Sequence, residues 1–334
     1  MNIIFFGTPE FAAAHLDFLV SHHISVVAVV TAPDKPAGRG KTLSQSAVKR
    51  IALQHHLPVL QPETLRSPQF LAELESFKAD VFVVIAFRML PQVVWKIPPK
   101  GTLNLHASLL PDYRGAAPIN RAIMNGEKTT GLTTFFINEE IDTGKIILQQ
   151  SMEIGENETF GELHDRMISV GQQLVLLTIE RIETGMVEAI EQSERLKALD
   201  KIHAAPKLAK ADSQINWDNS LDHIHNQIRG LSPFPGTFVH LCNENGQKIE
   251  LKIYRSEIER INCEKPDFSV LTDNRTYLKV ALKGGYLMLK EIQLSGKKIL
   301  NIKDFLNGFK FEGHWSVCES HCQCARNGLL AQKN

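Results

Sequence analysis

Three almost wholly apolar runs early in the chain, at residues 2–6, 25–31 and 79–86, constrain its fold more than any other feature. A strand with one wet face alternates apolar and polar residues. These runs do not alternate, as Val81, Val83, Val84 and Ile85 illustrate, and that is the pattern of parallel strands covered on both faces. Helix-like segments at residues 10–21, 46–55 and 68–77 are interleaved with them. Pro9 suits the start of the first helix, because the N–H it lacks would have no intrahelical partner there. Residues 131–137 and 146–154 read as two more strands, and residues 160–184 as a long amphipathic helix ending at Gly185. Repeated βα units with short loops imply an α/β fold with a doubly wound, Rossmann-like, mostly parallel sheet.

The texture changes beyond that helix. Residues 193–210 are polar and lysine-rich around Ala204-Ala205-Pro206. A short helical piece follows at Leu221–Gly230, then the turn-rich Ser232-Pro233-Phe234-Pro235-Gly236. From there apolar residues recur with period two at residues 237–242, 248–255, 277–282 and 286–293. Short strands at close spacing suggest a small β-barrel. A length of 334 residues suits two domains better than one. The boundaries drawn are an α/β domain over 1–190, a linker over 191–206, a barrel over 207–315 and a tail over 316–334.

Lysine plus arginine and aspartate plus glutamate each total 37, so the formal charge is zero. Neutrality argues against indiscriminate coating of nucleic acid and leaves local patches open. The start, Met1-Asn2-Ile3-Ile4-Phe5-Phe6-Gly7, has no basic leader, and no run is long enough to cross a bilayer. A cytoplasmic location with no membrane partner is therefore expected. Cys242, Cys263, Cys318, Cys322 and Cys324 are an odd number without an export signal, which suggests no disulfide framework. The His314, Cys318, His321, Cys322 and Cys324 cluster lacks paired C-x-x-C spacing, so incidental thiols are the preferred reading over a zinc site. No sustained apolar surface pattern demands a second copy, and a monomer is expected.

Chemistry concentrates in Asn104-Leu105-His106-Ala107-Ser108-Leu109-Leu110-Pro111, answered by an isolated acid at Asp142. If residues 102–106 form a strand, Asn104 and His106 share one face while Leu103 and Leu105 point into a core. A polar pair leading into a proline-containing turn fits a site at the carboxyl end of a strand. Taken singly, each residue has a plain structural role: Asn104 as a turn former, His106 as a satisfied donor, Asp142 as a cap before Gly144. Taken together, an amide donor, an imidazole and a carboxylate suit acyl transfer between two nucleophiles. Asn104 would donate to an oxygen that gains negative charge. His106 would supply a proton or a positive charge near neutral pH. Asp142 would orient His106 and pass protons between the attacking and departing amines.

The run from Asn104 through Arg121, together with Asp142-Thr143-Gly144, resembles the signature of the 10-formyltetrahydrofolate-dependent formyltransferases. Phe6-Gly7-Thr8-Pro9-Glu10-Phe11, Pro33-Asp34-Lys35-Pro36-Ala37-Gly38-Arg39-Gly40-Lys41, residues 208–217 and residues 232–236 are similar to the branch of that family acting on methionyl-tRNA. The resemblance spans about residues 1–315. It implies that the α-amine of methionine on initiator Met-tRNA attacks the formyl carbon of 10-formyltetrahydrofolate, and that tetrahydrofolate leaves, without a metal. It further implies that Asn104 and His106 hold the developing oxyanion, that Asp142 takes the amine proton directly or through water, and that the folate rests against Ser108, Leu109, Leu110 and Pro111. One departure is Ala86-Phe87-Arg88-Met89-Leu90-Pro91, which differs from the family's Ala-Tyr-Gly-x-x-Leu-Pro and is shorter by a residue. That stretch borders the pterin pocket in the family, so Arg88 bears on the folate contacts.

Residues 33–50 carry Lys35, Arg39, Lys41, Lys49 and Arg50 against the single acid Asp34. By composition alone this is a solvated loop. The resemblance implies an arm that enters the acceptor end of the tRNA and helps open its first base pair, with Arg39 central and Lys41 and Lys35 beside it. The β-rich half resembles the family's OB-like barrel, a fold that often binds nucleic acid; Lys207, Lys210, Lys297 and Lys298 would extend a positive track. Gly38-Arg39-Gly40-Lys41 and the barrel weigh against a nucleotide sugar or glycinamide ribonucleotide as the acceptor. Hydrolysis of 10-formyltetrahydrofolate and a catalytically silent tRNA-binding protein are the remaining alternatives.

Overall fold

The three apolar runs become neighbouring parallel strands in the computed structural model, which describes residues 1–37, 42–196, 201–261 and 268–318. The chain divides into two units. The first comprises Met1–Pro118, Thr129–Glu153 and Asp165–Pro206, and the second Ile119–Lys128, Ile154–His164 and the chain from Lys207 onward.

In chain order the strands of the first unit are β1 (Ile3–Gly7), β2 (Val26–Val30), β3 (Lys35–Ala37), β4 (Thr42–Ser44), β5 (Val59–Leu60), β6 (Val81–Ile85), β7 (Thr102–His106), β8 (Arg114–Gly115), β9 (Thr129–Phe136), β10 (Ile146–Glu153) and β11 (Ala204–Ala205). Seven of them form one sheet in the order β10-β9-β7-β6-β1-β2-β5. From β5 to β7 every neighbouring pair is parallel, and β9 and β10 extend the sheet antiparallel. The strand order reverses beside β1, which is where open α/β sheets place their clefts, at the carboxyl ends of the strands.

The helices are α1 (Glu10–Ser21), α2 (Ala47–Gln54), α3 (Pro68–Ser76), α4 (Gln92–Trp95), α5 (Pro118–Met124), α6 (Phe160–Thr184), α7 (Gln192–Leu196), α8 (Leu221–Gly230) and α9 (Ile302–Gly308). Ser46 starts α2 by accepting the Lys49 N–H, and Pro68 opens α3. Ile4, Phe6, Phe82 and Val84 bury one sheet face against Phe70 and Leu74 of α3 and Val94 of α4. On the other face, a Cβ at Gly171 of α6 would lie 2.7 Å from His15 Nε2 and 3.0 Å from Leu105 Cδ2, so glycine lets α6 lie close against α1 and β7.

Burial fixes the register of β7. Leu103 and Leu105 are buried on the α6 face, and each contributes roughly 1.5–3 kcal/mol relative to exposure. A slip of one residue would drive Asn104 and His106 into that apolar layer and turn both leucines out of it. Core packing therefore aims the polar pair.

The lysine-rich stretch read as a linker has structure of its own. Gln192 at the start of α7 is buried, and β11 pairs in parallel with β8, Ala204 beside Arg114 and Ala205 beside Gly115.

In the second unit β12 (Thr237–Asn243), β13 (Lys248–Arg260), β14 (Ser269–Thr272), β15 (Leu278–Leu282), β16 (Gly285–Leu294), β17 (Ile299–Asn301) and β18 (Trp315–Val317) follow one another. Pairing runs β13-β12-β18-β14-β15-β16 and returns from β16 to β13, so six strands close a barrel and β17 flanks β16. Closure leaves no bare sheet edge on those six strands. Leu251, Ile253, Leu287, Leu289 and Trp315 fill its core, the inward half of the period-two pattern. β18 carries the strand past the boundary drawn at 315. Arg121 of α5 makes a forked pair with Asp212, both contacts at 2.9 Å, and its hydrogen bonds hold that carboxyl below the usual range. Cys242 is a buried free thiol, whereas Cys263, His321, Cys322 and Cys324 lie outside the described residues. No helix among the described residues is long and apolar enough to cross a membrane.

Candidate active site

β7 brings Asn104 and His106 to one face, with Asn104 opposite Val84 of β6 and Phe135 of β9, and His106 opposite Thr133. The Asn104 amide is partly buried and makes no hydrogen bond among the described residues. It therefore holds donors that are not committed to the fold. His106 is nearly buried, and its Nε2 lies 2.9 Å from the carbonyl of Tyr113. A carbonyl can only accept, so Nε2 carries a proton and Nδ1 is the nitrogen that faces Asp142. Asp142 Oδ2 lies 3.7 Å from Nδ1, beyond a direct hydrogen bond.

Two backbone distortions create this arrangement. Tyr113 has φ +57° and Asp142 φ +55°, in the left-handed region. Tyr113 is held there by its N–H, which donates to the His203 carbonyl at 2.8 Å and to Asp112 Oδ1 at 3.1 Å. Asp142 Oδ2 accepts the Gly115 N–H at 2.9 Å. Next to it Gly144 has no room for a side chain, since a Cβ there would sit 1.6 Å from the Phe136 carbonyl oxygen. Gly144→Ala should force this turn open and cost about 2 kcal/mol or more. An unchanged urea midpoint would show that the turn tolerates the displacement.

The loop after β7 is anchored inward. Ser108 is fully buried and donates to the Asp112 carbonyl at 2.6 Å. Thr133 Oγ1 donates to the Ser108 carbonyl at 2.7 Å and accepts the Leu110 N–H at 3.1 Å, while Gln149 Nε2 donates to the Leu110 carbonyl at 2.8 Å. Leu110 packs with Phe135 and Ile146. Of the four residues Ser108, Leu109, Leu110 and Pro111, Leu109 alone keeps partial exposure. Gly131 leaves space for it, since a Cβ there would meet Leu109 Cδ2 at 2.5 Å. Thr133, Gln149, Gly115 and Gln192 were not found from sequence, because each acts through a contact distant in the chain.

Arg88 is committed to the protein itself. Its guanidinium donates to the carbonyls of Pro62 and Glu63 and lies over the Phe87 ring, 5.6 Å from its centre. The basic stretch is also less charged than its composition. Lys49 pairs with Asp34 at 2.6 Å and donates to Gln61, and the Lys49 and Gln61 hydrogen bonds hold the Asp34 carboxyl low. Arg50 pairs with Glu10 at 2.5 Å. Lys35 is exposed on β3, with no partner among the described residues. β3 and β4 pair antiparallel, and Arg39 and Lys41 lie outside the described residues. A cavity of about 510 Å³ in the second unit, lined by Trp217, Phe238, His240 and Cys318 among others, includes none of these groups.

Residues 1–179 match the formyl transferase family, and residues 207–310 match the formyl transferase C-terminal domain. A protein named methionyl-tRNA formyltransferase from Parabacteroides distasonis is 46% identical over 318 residues, covering 95% of this chain and 98% of its own. One of the same name from Flavobacterium johnsoniae is 45% identical over 317 residues, covering 95% and 99%. Among solved structures, an N-formyltransferase from Helicobacter canadensis in complex with folinic acid and dTDP-3-aminofucose superposes with a TM-score of 0.63 at 21% identity, covering 86% of this chain and 98% of that one. HypX from Aquifex aeolicus in complex with tetrahydrofolic acid gives 0.59 at 17% identity over 93% of this chain and 48% of its own. At such identities the structural likeness speaks for the fold.

Proposed function

The chain belongs to the formyl transferase family, and from that premise we propose that it transfers the formyl group of 10-formyltetrahydrofolate to the α-amine of methionine on initiator Met-tRNA. The acceptor follows the name shared by relatives that match this chain over nearly its whole length. The observation that carries the chemistry is the Asn104 amide, uncommitted within the fold, on the same strand face as a histidine whose Nδ1 faces Asp142 at 3.7 Å. Formyltetrahydrofolate supplies a formyl group already activated at N10, so the residues here need to orient it, meet negative charge on its oxygen and move protons.

An ammonium cannot attack a carbonyl carbon, so the acceptor amine has to lose a proton; Asp142 is the base that takes it, directly or through water, and returns it to N10 of the departing tetrahydrofolate as the bond from the formyl carbon to N10 breaks. Asn104 donates to the formyl oxygen as it gains charge. For His106 the tautomer sets a condition. Its Nε2 proton is spent on the Tyr113 carbonyl, so donation from Nδ1 requires the doubly protonated ring, whose charge the Asp142 carboxylate balances. Ser108, Leu109, Leu110 and Pro111 form the wall for the folate, with Leu109 offering the apolar contact. Lys35, Arg39 and Lys41 meet the phosphates of the acceptor arm, where contacts position the RNA without reading its sequence.

The test is formyl transfer from 10-formyltetrahydrofolate to charged initiator tRNA, compared with charged elongator tRNA. Product with the initiator and little with the elongator is the expected result, and no product with either would overturn the reading. Arg39→Ala should lower kcat/KM for the tRNA by roughly 10- to 100-fold, the value of a hydrogen bond to a charged group, with KM for the folate unchanged. Unaltered tRNA kinetics would remove Arg39 from the contact.

A further inference from the structure

The geometry points to Gln192 as the residue that positions Asp142, an inference that rests on the formyl-transfer reading above. Gln192 stands far in sequence from the other residues of the site and is 2% exposed. A buried amide that leaves a donor or acceptor unmet is costly, and here every one is met. Nε2 donates to the backbone carbonyl of Asp142 at 2.9 Å and to that of Gly144 at 2.8 Å. Oε1 accepts from Arg114 Nε at 3.0 Å and from Arg114 Nη2.

The partners define the role. The two carbonyls belong to the turn that carries the Asp142 carboxylate, and they hold Asp142 in its left-handed conformation. Arg114 sits between Tyr113, whose carbonyl holds His106 Nε2, and Gly115, whose N–H holds Asp142 Oδ2. Gln192 thus ties the segment that fixes the imidazole to the turn that fixes the carboxylate. An ordinary buried glutamine fastens one segment to the body of the fold. This one fastens to each other the two segments that bear the reacting groups, so it sets the span between His106 and Asp142. Gln192 does not touch the reacting atoms; it acts through Asp142.

Gln192→Met keeps the length of the side chain and removes all four bonds. Formyl transfer should then show kcat lower by on the order of 10²-fold, the effect of a misplacement near 1 Å. KM for the folate and for the tRNA should stay within about twofold, because ground-state binding does not pass through Asp142. The deciding measurement is the double variant. In an Asp142→Asn background Gln192→Met should cost nothing further, since no base remains to be aimed. A Gln192→Met kcat within twofold of the parent, or two losses that simply multiply, would overturn the proposal. Full activity in Asp142→Asn alone would instead remove Asp142 as the base, which separates that failure from failure of the Gln192 role. Gln192→Glu is the companion variant should the methionine not fold. It keeps the bond to Arg114 but faces an oxygen to the two carbonyls, and it should lose kcat to a similar degree while binding folate normally; a parental kcat in Gln192→Glu would equally overturn the proposal.

Discussion

Asp142→Asn should lower the rate constant for formyl transfer by roughly 10²–10⁴-fold, the range a positioned general base contributes, while leaving the fold intact. Asparagine matches aspartate in shape and is at home in the left-handed backbone conformation found here, φ +55°. The Gly115 N–H can still donate to the amide oxygen, and Gln192 still holds the backbone carbonyl. What is lost is the ability to accept a proton from the amine. Single-turnover transfer, with the urea midpoint measured alongside, checks both halves. A parental rate would take the proton-handling role from Asp142, and a collapsed midpoint would mean that the carboxylate serves the turn rather than the reaction.

The parts of this site legible in the sequence are those written in local alternation. Leu103, Asn104, Leu105 and His106 alternate in β7 because one face is core, and that period is visible to anyone counting residues. The apolar runs of β1, β2 and β6 announce burial on both faces in the same way. Direction is less visible: β9 is antiparallel to β7, and its residues carry no mark of that. The strands β5, β14, β17 and β18 are short, too short for a period to show. The remaining gaps are long-range polar contacts. Gln192 lies 50 positions from Asp142 and looks like one polar residue in a polar stretch. Lys49 and Arg50 look like free charges until the fold brings up Gln61 and Glu10, the latter 40 residues from Arg50. Charge counted along a loop overstates what it can offer RNA whenever the compensating acid comes from elsewhere.

Asn104→Ala should cost about 10²–10³ in kcat, the loss that follows removal of one oxyanion donor, and almost nothing in stability. The two expectations have one cause. The Asn104 amide has no hydrogen-bond partner among the described residues and is partly exposed, so deleting it orphans no buried group and leaves no sealed cavity. Its neighbours across β6 and β9, Val84 and Phe135, keep their own packing. An unfolding free energy within about 0.5 kcal/mol of the parent is expected, as for other replacements away from core features. The kinetic signature separates transition-state from ground-state binding. A donor aimed at an oxygen that becomes negative gains most of its strength as charge develops, so kcat and kcat/KM should fall together with KM little changed. If KM for the folate rises while kcat holds, Asn104 is holding the formyl carbonyl in the ground state. The burden of meeting the oxyanion would then move to His106 Nδ1.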